Sequence, residues 1–182
     1  MVGEKAKRHI YDLVYIALFT SLIAVCSWIS LPLVIPFTLQ TFAVFATVAL
    51  LGGKRGTAAV VCYLLLGICG VPVFAKFNSG PAALLGATGG YLMGFLLIAL
   101  IMWGCEKIFG KKTSVLVISM LSGHVACYIF GSVWYSLVYM RNTGTGGFAA
   151  AMLQCVLPFV VPDVAKMFLA LLVQKRLGKY IK

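Results

Sequence analysis

An acidic and a basic side chain lie inside the last long apolar stretch of the chain, at about residues 149–173. Asp163 and Lys166 have the spacing that brings two side chains to the same face of a helix. Each charge costs about 2.5–3.5 kcal/mol at the centre of a bilayer, so the two side chains are expected to satisfy each other. The pattern favours a polar ligand site. The alternative is a buried ion pair that only fixes helix packing.

Two prolines stand beside this pair. Pro158 and Pro162 have no backbone N–H, so a continuous helix would leave the carbonyl groups of Gln154 and Pro158 without their usual donors. Membrane proteins tolerate such a break where it lines a cavity or packs against neighbouring helices. We therefore expect a broken helix start next to the charged pair.

The composition places the chain in a lipid bilayer. It has 182 residues, of which 62% are hydrophobic and 10% charged, whereas a soluble domain has about 25% charged residues. The sequence predicts an all-α integral membrane protein, a bundle of six transmembrane helices in a single domain over residues 1–182. The predicted helices cover about residues 13–31, 42–51, 57–71, 85–105, 115–139 and 149–173.

Positive charge is concentrated at both termini and in two short breaks between apolar stretches. The formal net charge is +11, but its placement argues for a membrane topology and not for a nucleic-acid partner. The positive-inside rule puts both termini and both breaks in the cytoplasm, in a multi-pass protein of the plasma membrane. The grouped basic residues are Lys5, Lys7, Arg8, Lys54, Arg55, Lys107, Lys111, Lys112, Lys175, Arg176, Lys179 and Lys182.

The cysteines indicate neither a disulfide framework nor a metal site. All 6 lie in or beside apolar stretches, and none forms a C-x-x-C pair. They are typical of small buried hydrophobic residues. We expect no metal and no cofactor.

The first apolar stretch is too long for a cleavable signal peptide and is predicted to be a retained span.

Two segments on the outer side carry further polar groups. The segment 36–41 is uncharged and contains Thr38 and Gln40, so we expect a re-entrant or capping loop that lines a cavity. The segment 70–81 is punctuated by glycine and proline, and Asn78 in it can hydrogen-bond a ligand. An ordinary connecting loop is the alternative for this second segment.

Small residues in two predicted helices indicate close contacts. Ala17, Ser21 and Ala24 lie in the first helix, and the first two have the spacing that lets another helix approach closely in lipid. Spacing alone favours packing within the molecule. Gly90 and Gly94 have the same spacing in the fourth helix and permit approach by a helix or a ligand.

Polar aromatic residues and one histidine lie in the apolar stretches. Tyr91 is either an aromatic residue of the membrane interface or a pocket wall. His124, Tyr128 and Tyr135 follow helical spacing and share a face of the fifth predicted helix. We expect His124 to be packed and hydrogen-bonded rather than a metal ligand, because no second histidine lies in the membrane.

The motifs of common enzymes and nucleotide-driven pumps are absent. The sequence at residues 110–113 fails the phosphate-binding pattern because Lys112 stands where serine or threonine is needed. An intramembrane aspartyl protease needs two facing carboxylates, and only Asp163 lies inside an apolar stretch. A secondary transporter that works alone is the other alternative, but it would show an internal repeat, and we find none.

Taken together, these residues resemble the BioY family, the biotin-specific substrate-binding subunits of energy-coupling-factor (ECF) transporters. The resemblance covers about residues 15–166. It depends on four short runs in the order and spacing of the family. They are Pro36-Phe37-Thr38-Leu39-Gln40-Thr41-Phe42; Tyr63 to Gly67 continuing to Gly70-Val71-Pro72-Val73-Phe74-Ala75; Thr88-Gly89-Gly90-Tyr91-Leu92 with Gly94-Phe95; and Pro158-Phe159 with Pro162-Asp163, Lys166 and Ala170.

The resemblance implies a six-helix bundle that binds biotin near its outer face, under the loop that follows the first helix. It implies that Ala17 and Ser21, with Ala24 nearby, dock to a transmembrane coupling subunit, and that two ABC ATPase subunits drive uptake. The chain departs from the family mildly at Ser21. It departs more strongly at residues 76–81, where the family is usually glycine-rich. Another vitamin as the ligand is the nearest alternative.

The chemistry of biotin suits the candidate residues. Its ureido group has two N–H donors and one carbonyl, so Asp163 can accept from an N–H, and Lys166 can donate to a carbonyl or a carboxylate. Which ligand group each meets is left open. The remaining polar candidates are Thr38, Gln40 and Asn78, and the apolar walls are Phe37, Phe74, Tyr91 and Tyr128.

Overall fold

The computed structural model describes residues 2–31, 37–143 and 148–181, and it is almost entirely helical. The helices are α1 (Val2–Trp28), α2 (Gln40–Leu51), α3 (Gly53–Ile68), α4 (Pro81–Leu85), α5 (Gly89–Phe109), α6 (Thr113–Thr143), α7 (Phe148–Cys155) and α8 (Val160–Leu177). Two short strands, β1 (Ser30–Leu31) and β2 (Phe37–Thr38), pair in antiparallel register between α1 and α2.

Within the described residues, four helical segments are long and apolar enough to cross a membrane, by length and composition. They are Ala6–Trp28, Gly89–Phe109, Thr113–Val138 and Ala151–Leu177. Large apolar side chains also face outwards, among them Leu18, Ile118 and Phe168. A helix that is apolar on its outer as well as its inner face suits lipid rather than water.

The centre of the bundle is α2, a short apolar helix. Its Ala43, Val44 and Phe45 have no exposed surface at all. It packs against α1, α3, α5 and α8, so four neighbours cover its sides. This position explains why α2 can be short: it is surrounded by protein, and it carries polar side chains from its first turn into the interior.

Glycines bring the central helices close together. A Cβ atom at Gly56 in α3 would lie 2.6 Å from the Cα of Val48 in α2. A Cβ atom at Gly90 in α5 would clash with the Cβ of Trp134 in α6. The small-residue spacing of Gly90 and Gly94 therefore serves contact between α5 and α6, since Gly94 likewise meets Cys127.

The two ends of the bundle differ in chemistry. We define the basic end as residues 52–55, 106–113 and 174–181. There the Glu106 carboxylate accepts the Gly53 N–H and lies 3.2 Å from Lys111 Nζ, and Arg55 pairs with Asp12 at 2.8 Å. We define the loop end as residues 28–31, 37–40, 69–88 and 155–160. Aromatic contacts hold it together, including a stack of Trp28 on Phe77 with ring centroids 5.1 Å apart.

Six helices are predicted from the sequence, whereas the described part of the chain forms eight α-helices. A turn at residues 86–88 separates α4 from α5, and a break at residues 156–159 separates α7 from α8. The first helix also begins at Val2 rather than near residue 13, so it includes the charged N-terminal turns that precede the apolar stretch. Residues 32–36, between the first predicted helix and most of the predicted capping loop, lie outside the described residues, and so do residues 144–147.

The two prolines of the last apolar stretch have different roles. Pro158 lies in the 3-10 turn Leu157–Phe159, where the chain leaves α7. Pro162 is the third residue of α8, which starts at Val160. The first N–H groups of a helix have no partner within it, so Pro162 sits there without breaking the helix. The predicted break is therefore present, but it ends before Pro162.

Candidate ligand-binding site

A cavity of about 410 Å³ opens at the loop end, between α2, α5, α6 and α8. Every residue predicted to bind the ligand lines it: Phe37, Thr38, Gln40, Phe74, Asn78, Tyr91, Tyr128, Asp163 and Lys166. A volume of this size suits a small molecule. The structure thus brings together side chains from distant parts of the sequence, and their binding of a ligand stays a prediction.

The Asp163 carboxylate is the polar centre of the cavity, with 5% of the residue exposed. Its Oδ1 accepts hydrogen bonds from Lys166 Nζ at 2.8 Å and from Thr41 Oγ1 at 3.4 Å. Its Oδ2 accepts from the Tyr128 hydroxyl at 2.6 Å and lies 3.2 Å from His124 Nε2. Asp163 is in the first turn of α8, where the helix dipole also stabilises a negative charge.

Lys166 is held as firmly as its partner. Its Nζ bonds to Asp163, donates to Thr41 Oγ1 at 3.3 Å, and lies 3.9 Å from the centre of the Phe37 ring. A cation over an aromatic face is attracted by the ring quadrupole. Only 4% of the residue is exposed. The two side chains are therefore desolvated and together have no net charge, and both come from one turn of α8.

His124 was not singled out as a ligand residue by the sequence, yet it lines the cavity. Its ring packs on Phe45 and Tyr128, with centroids 5.5 and 4.2 Å away. Apart from the 3.2 Å approach of Nε2 to Asp163, neither ring nitrogen forms a hydrogen bond of normal geometry within the described ranges. His124 is packed, as predicted. The predicted hydrogen bonding is not found at Nδ1, which has no partner among the described residues.

Other cavity residues are not among those predicted to bind the ligand. Thr41 and His124 could have been found as polar side chains in apolar helices. The apolar lining residues could not, because most residues of this chain are apolar. Phe159 is one of these, and its ring stacks on Phe37 with centroids 6.2 Å apart. The additional lining residues are Thr41, Ala75, Lys76, Phe77, Ala83, Thr88, Leu92, Phe95, His124, Cys127, Cys155 and Phe159.

The loop after α3 forms one wall of the cavity and is tied to the bundle. The Gln40 amide donates to the Tyr63 hydroxyl at 2.8 Å, which donates to the Val73 carbonyl at 3.0 Å. Gln40 therefore positions this loop besides lining the cavity. Asn78 reaches the wall, but its Oδ1 accepts the N–H of Ser79 at 2.9 Å, so part of its hydrogen-bonding capacity is used locally.

The residues predicted to dock a partner do not all share one surface. Ala17 and Ser21 are exposed on α1, and the Ser21 hydroxyl donates back to the Ala17 carbonyl at 3.0 Å. Ala24 is only 6% exposed and belongs to the core of the bundle. The structure therefore does not place Ala24 on the outward face that Ala17 and Ser21 occupy.

The arrangement combines polar groups with apolar walls. It offers an acceptor, a cationic donor and hydroxyl groups in one place, surrounded by aromatic rings. Asp163 is the one carboxylate among the described lining residues, and it is already paired with Lys166. General acid–base chemistry with two carboxylates therefore has no basis in this arrangement.

Comparison with known proteins gives a consistent result. The model of the BioY family matches residues 4–182. The chain is 39% identical to a biotin transporter BioY of Thermotoga maritima, over 92% of this chain and 96% of that protein. It is also 39% identical to biotin transporter BioY2 of Lactococcus lactis, over 69% of each chain. These relatives are named as transporters and not as enzymes.

A solved structure agrees with the fold. The crystal structure of the S-component for biotin from an ECF-type ABC transporter superposes with a TM-score of 0.82 and 26% identity, covering 95% of this chain and 93% of that one. The family match over nearly the whole sequence, the relatives and the common fold lead to one conclusion. The chain belongs to the BioY family.

Proposed function

We propose that this protein is the substrate-binding S-component of an ECF-type ABC transporter and that its ligand is biotin. The observation that carries the proposal is the buried Asp163–Lys166 pair at an apolar-walled cavity of about 410 Å³, in a member of the BioY family. The protein binds and hands over its ligand without covalent chemistry, and it works without a cofactor.

The ureido ring of biotin fits the charges of this pair. Its N–H groups donate to the Asp163 carboxylate, and its carbonyl accepts from Lys166. Asp163 already has donors at both oxygens, so a ligand N–H must share or replace one of them. The contact from Thr41, at 3.4 Å, is the longest and therefore the weakest of these, which makes it the easiest to replace.

The membrane arrangement is part of the same proposal. The chain crosses the plasma membrane six times, with α7 and α8 together forming the last crossing, and both termini face the cytoplasm. Two observations support this arrangement. Basic residues cluster at the basic end of the bundle, and the cavity opens at the opposite, loop end. The cavity then faces incoming solute from outside the cell.

Uptake requires partners that this chain does not contain. We assign the exposed Ala17–Ser21 face of α1 to a transmembrane coupling subunit, because small side chains let another helix approach closely in lipid. Two ABC ATPase subunits supply the energy. The support for this composition is the ECF-type transporter from which the similar S-component comes.

The test is biotin binding to the purified chain in detergent, with Asp163→Asn beside it. The unmodified chain should bind tightly, and Asp163→Asn should lose most of the affinity. Asp12→Asn is the matched control, because Asp12 pairs with Arg55 far from the cavity. Failure of the folded, unmodified chain to bind would refute biotin as the ligand and direct the search to another small solute.

A further inference from the structure

We propose that Lys76 binds the carboxylate of the ligand and makes the site selective for the free acid over neutral amides and esters. The inference deepens the proposed function and depends on it. Biotin carries its polar ring at one end and a carboxylate at the end of its valeryl chain. The Asp163–Lys166 pair serves the ring, and the carboxylate needs a separate partner.

The charges around the cavity leave one positive charge unmatched. Among the described lining residues, the charged side chains are Lys76, Asp163 and Lys166. Asp163 and Lys166 neutralise each other at 2.8 Å. The lining therefore has a formal charge of +1, contributed by Lys76, and a ligand with one carboxylate has a charge of −1. A charge match of this kind favours the ionised acid.

Lys166 is not free to take this role. Its ammonium group bonds to Asp163 and Thr41 and lies over the Phe37 ring. Turning towards a ligand carboxylate would leave Asp163 buried without its cation, which is strongly unfavourable. Lys76, in contrast, forms no ion pair with any residue in the described ranges.

The two lysines also differ in depth. Lys166 is 4% exposed, whereas Lys76 is exposed while still lining the cavity. The cavity therefore leads from a buried polar pair to an exposed cation. A ligand with its ring at the inner end and its carboxylate at the outer end matches this order.

The backbone holds Lys76 in an unusual conformation. Lys76 and Phe77 have φ angles of 59° and 57°, in the left-handed region that non-glycine residues rarely adopt. The strain is maintained because Phe74 is buried against Tyr63 and Phe77 stacks on Trp28. Strained backbone that its surroundings enforce is common at ligand sites. Here it holds the backbone of Lys76 at the rim of the cavity.

The experiment compares biotin with biotinamide, in which a neutral carboxamide replaces the carboxylate. The purified chain in detergent should prefer biotin, and Lys76→Gln should reduce this preference by about 5- to 10-fold, the size expected of a partly exposed charge-assisted hydrogen bond. Affinity for biotinamide should stay the same. Lys76→Arg should keep the preference, and Lys107→Gln, which removes an exposed charge outside the cavity, should not change it.

The outcomes separate this inference from the proposed function. Equal preference for biotin in the unmodified chain and in Lys76→Gln would overturn the role of Lys76 while leaving biotin binding intact. No binding of either compound to the folded, unmodified chain would refute the proposed function itself. If Lys76→Gln does not fold, Lys76→Gly removes the same ammonium group and relieves the positive φ angle, and the same ratio is measured.

Discussion

The Asp163 carboxylate connects the stability of the bundle with the candidate ligand site. A buried ion pair contributes little net stability, but removal of one partner leaves an uncompensated charge at a cost of about 3–5 kcal/mol. Both Asp163 and Lys166 are nearly inaccessible to water. The pair therefore has to be treated as one unit, and single substitutions mix the loss of a ligand contact with the loss of a counter-charge.

Double substitution separates the two effects. We expect Lys166→Met alone to lower the melting temperature in detergent, because it strands the Asp163 carboxylate. Adding Asp163→Asn should restore part of the stability, since the remaining groups are neutral. Biotin binding should be lost in Lys166→Met, in the double variant and in Asp163→Asn alone. If the double variant melts below Lys166→Met, the energetic coupling of the pair is refuted.

His124 allows a cleaner test, because its Nδ1 has no hydrogen bond with any described residue. Phenylalanine fits between Phe45 and Tyr128 without burying a new polar atom. We expect His124→Phe to weaken biotin binding by about 5- to 10-fold, the value of one hydrogen bond between Nδ1 and the ligand in a buried site. The substitution also removes the Nε2 contact with Asp163. It should lower the melting temperature only slightly, because the carboxylate keeps its hydrogen bonds from Lys166, Thr41 and Tyr128.

The control for this substitution is His9→Phe, at an exposed position in α1. It should alter neither property. A loss of stability in His124→Phe with unchanged affinity would show that the histidine serves packing alone.

The separation of two interacting residues along the sequence decides whether the sequence alone can predict their contact. Asp163 and Lys166 are close in sequence, so helical spacing alone places them together. The bond from Tyr128 to Asp163 joins α6 to α8, and the approach of His124 to Asp163 joins the same two helices. No local pattern specifies which faces of two helices meet, so the sequence predicts His124 as a packed, hydrogen-bonded residue and gives no contact with Asp163.

At the scale of helices, glycine positions set the distance between neighbours. A Cβ atom at Gly56 would lie 2.6 Å from backbone of α2, which cannot move aside as a flexible side chain can. We expect Gly56→Ala to destabilise the bundle by about 1–3 kcal/mol, as overpacking does. Thermal unfolding in detergent measures this change.

Gly104→Ala is the matched control in α5, because a Cβ atom there meets nothing within 4 Å. Alanine favours a helix by about 0.8–1.0 kcal/mol over glycine, so this variant should be neutral or slightly stabilised. Equal effects of the two substitutions would contradict the close approach of α2 and α3.

Helix positions follow from apolar stretches, but helix breaks do not. Hydrophobicity predicts helices where the structure has α2, α3, α5 and α6, because each apolar stretch must satisfy its backbone within lipid. The boundary between α7 and α8 depends on where a proline falls within a turn. Pro162 looks like a helix breaker in the sequence, yet it occupies a position whose N–H is unused anyway.

At the scale of the whole molecule, the placement of charge and the position of the cavity predict how the bundle is oriented in the membrane. The basic end contains Lys111 and Lys112, whereas the cavity lies at the end where α3 stops. Composition and charge alone predict this polarity, because the positive-inside rule needs no tertiary contacts. The cavity between the helices, in contrast, could not be predicted without their packing.

Cysteine labelling in intact cells tests the direction. Cys69 is exposed just after α3, at the loop end. In a variant whose other cysteines are replaced by alanine, a membrane-impermeant maleimide added outside should label Cys69. In the same background with Cys69→Ala and Lys112→Cys, labelling should require permeabilised cells, because residue 112 lies at the basic end. The reverse pattern would place the cavity on the cytoplasmic side, and a protein oriented in that way could not capture solute from outside the cell.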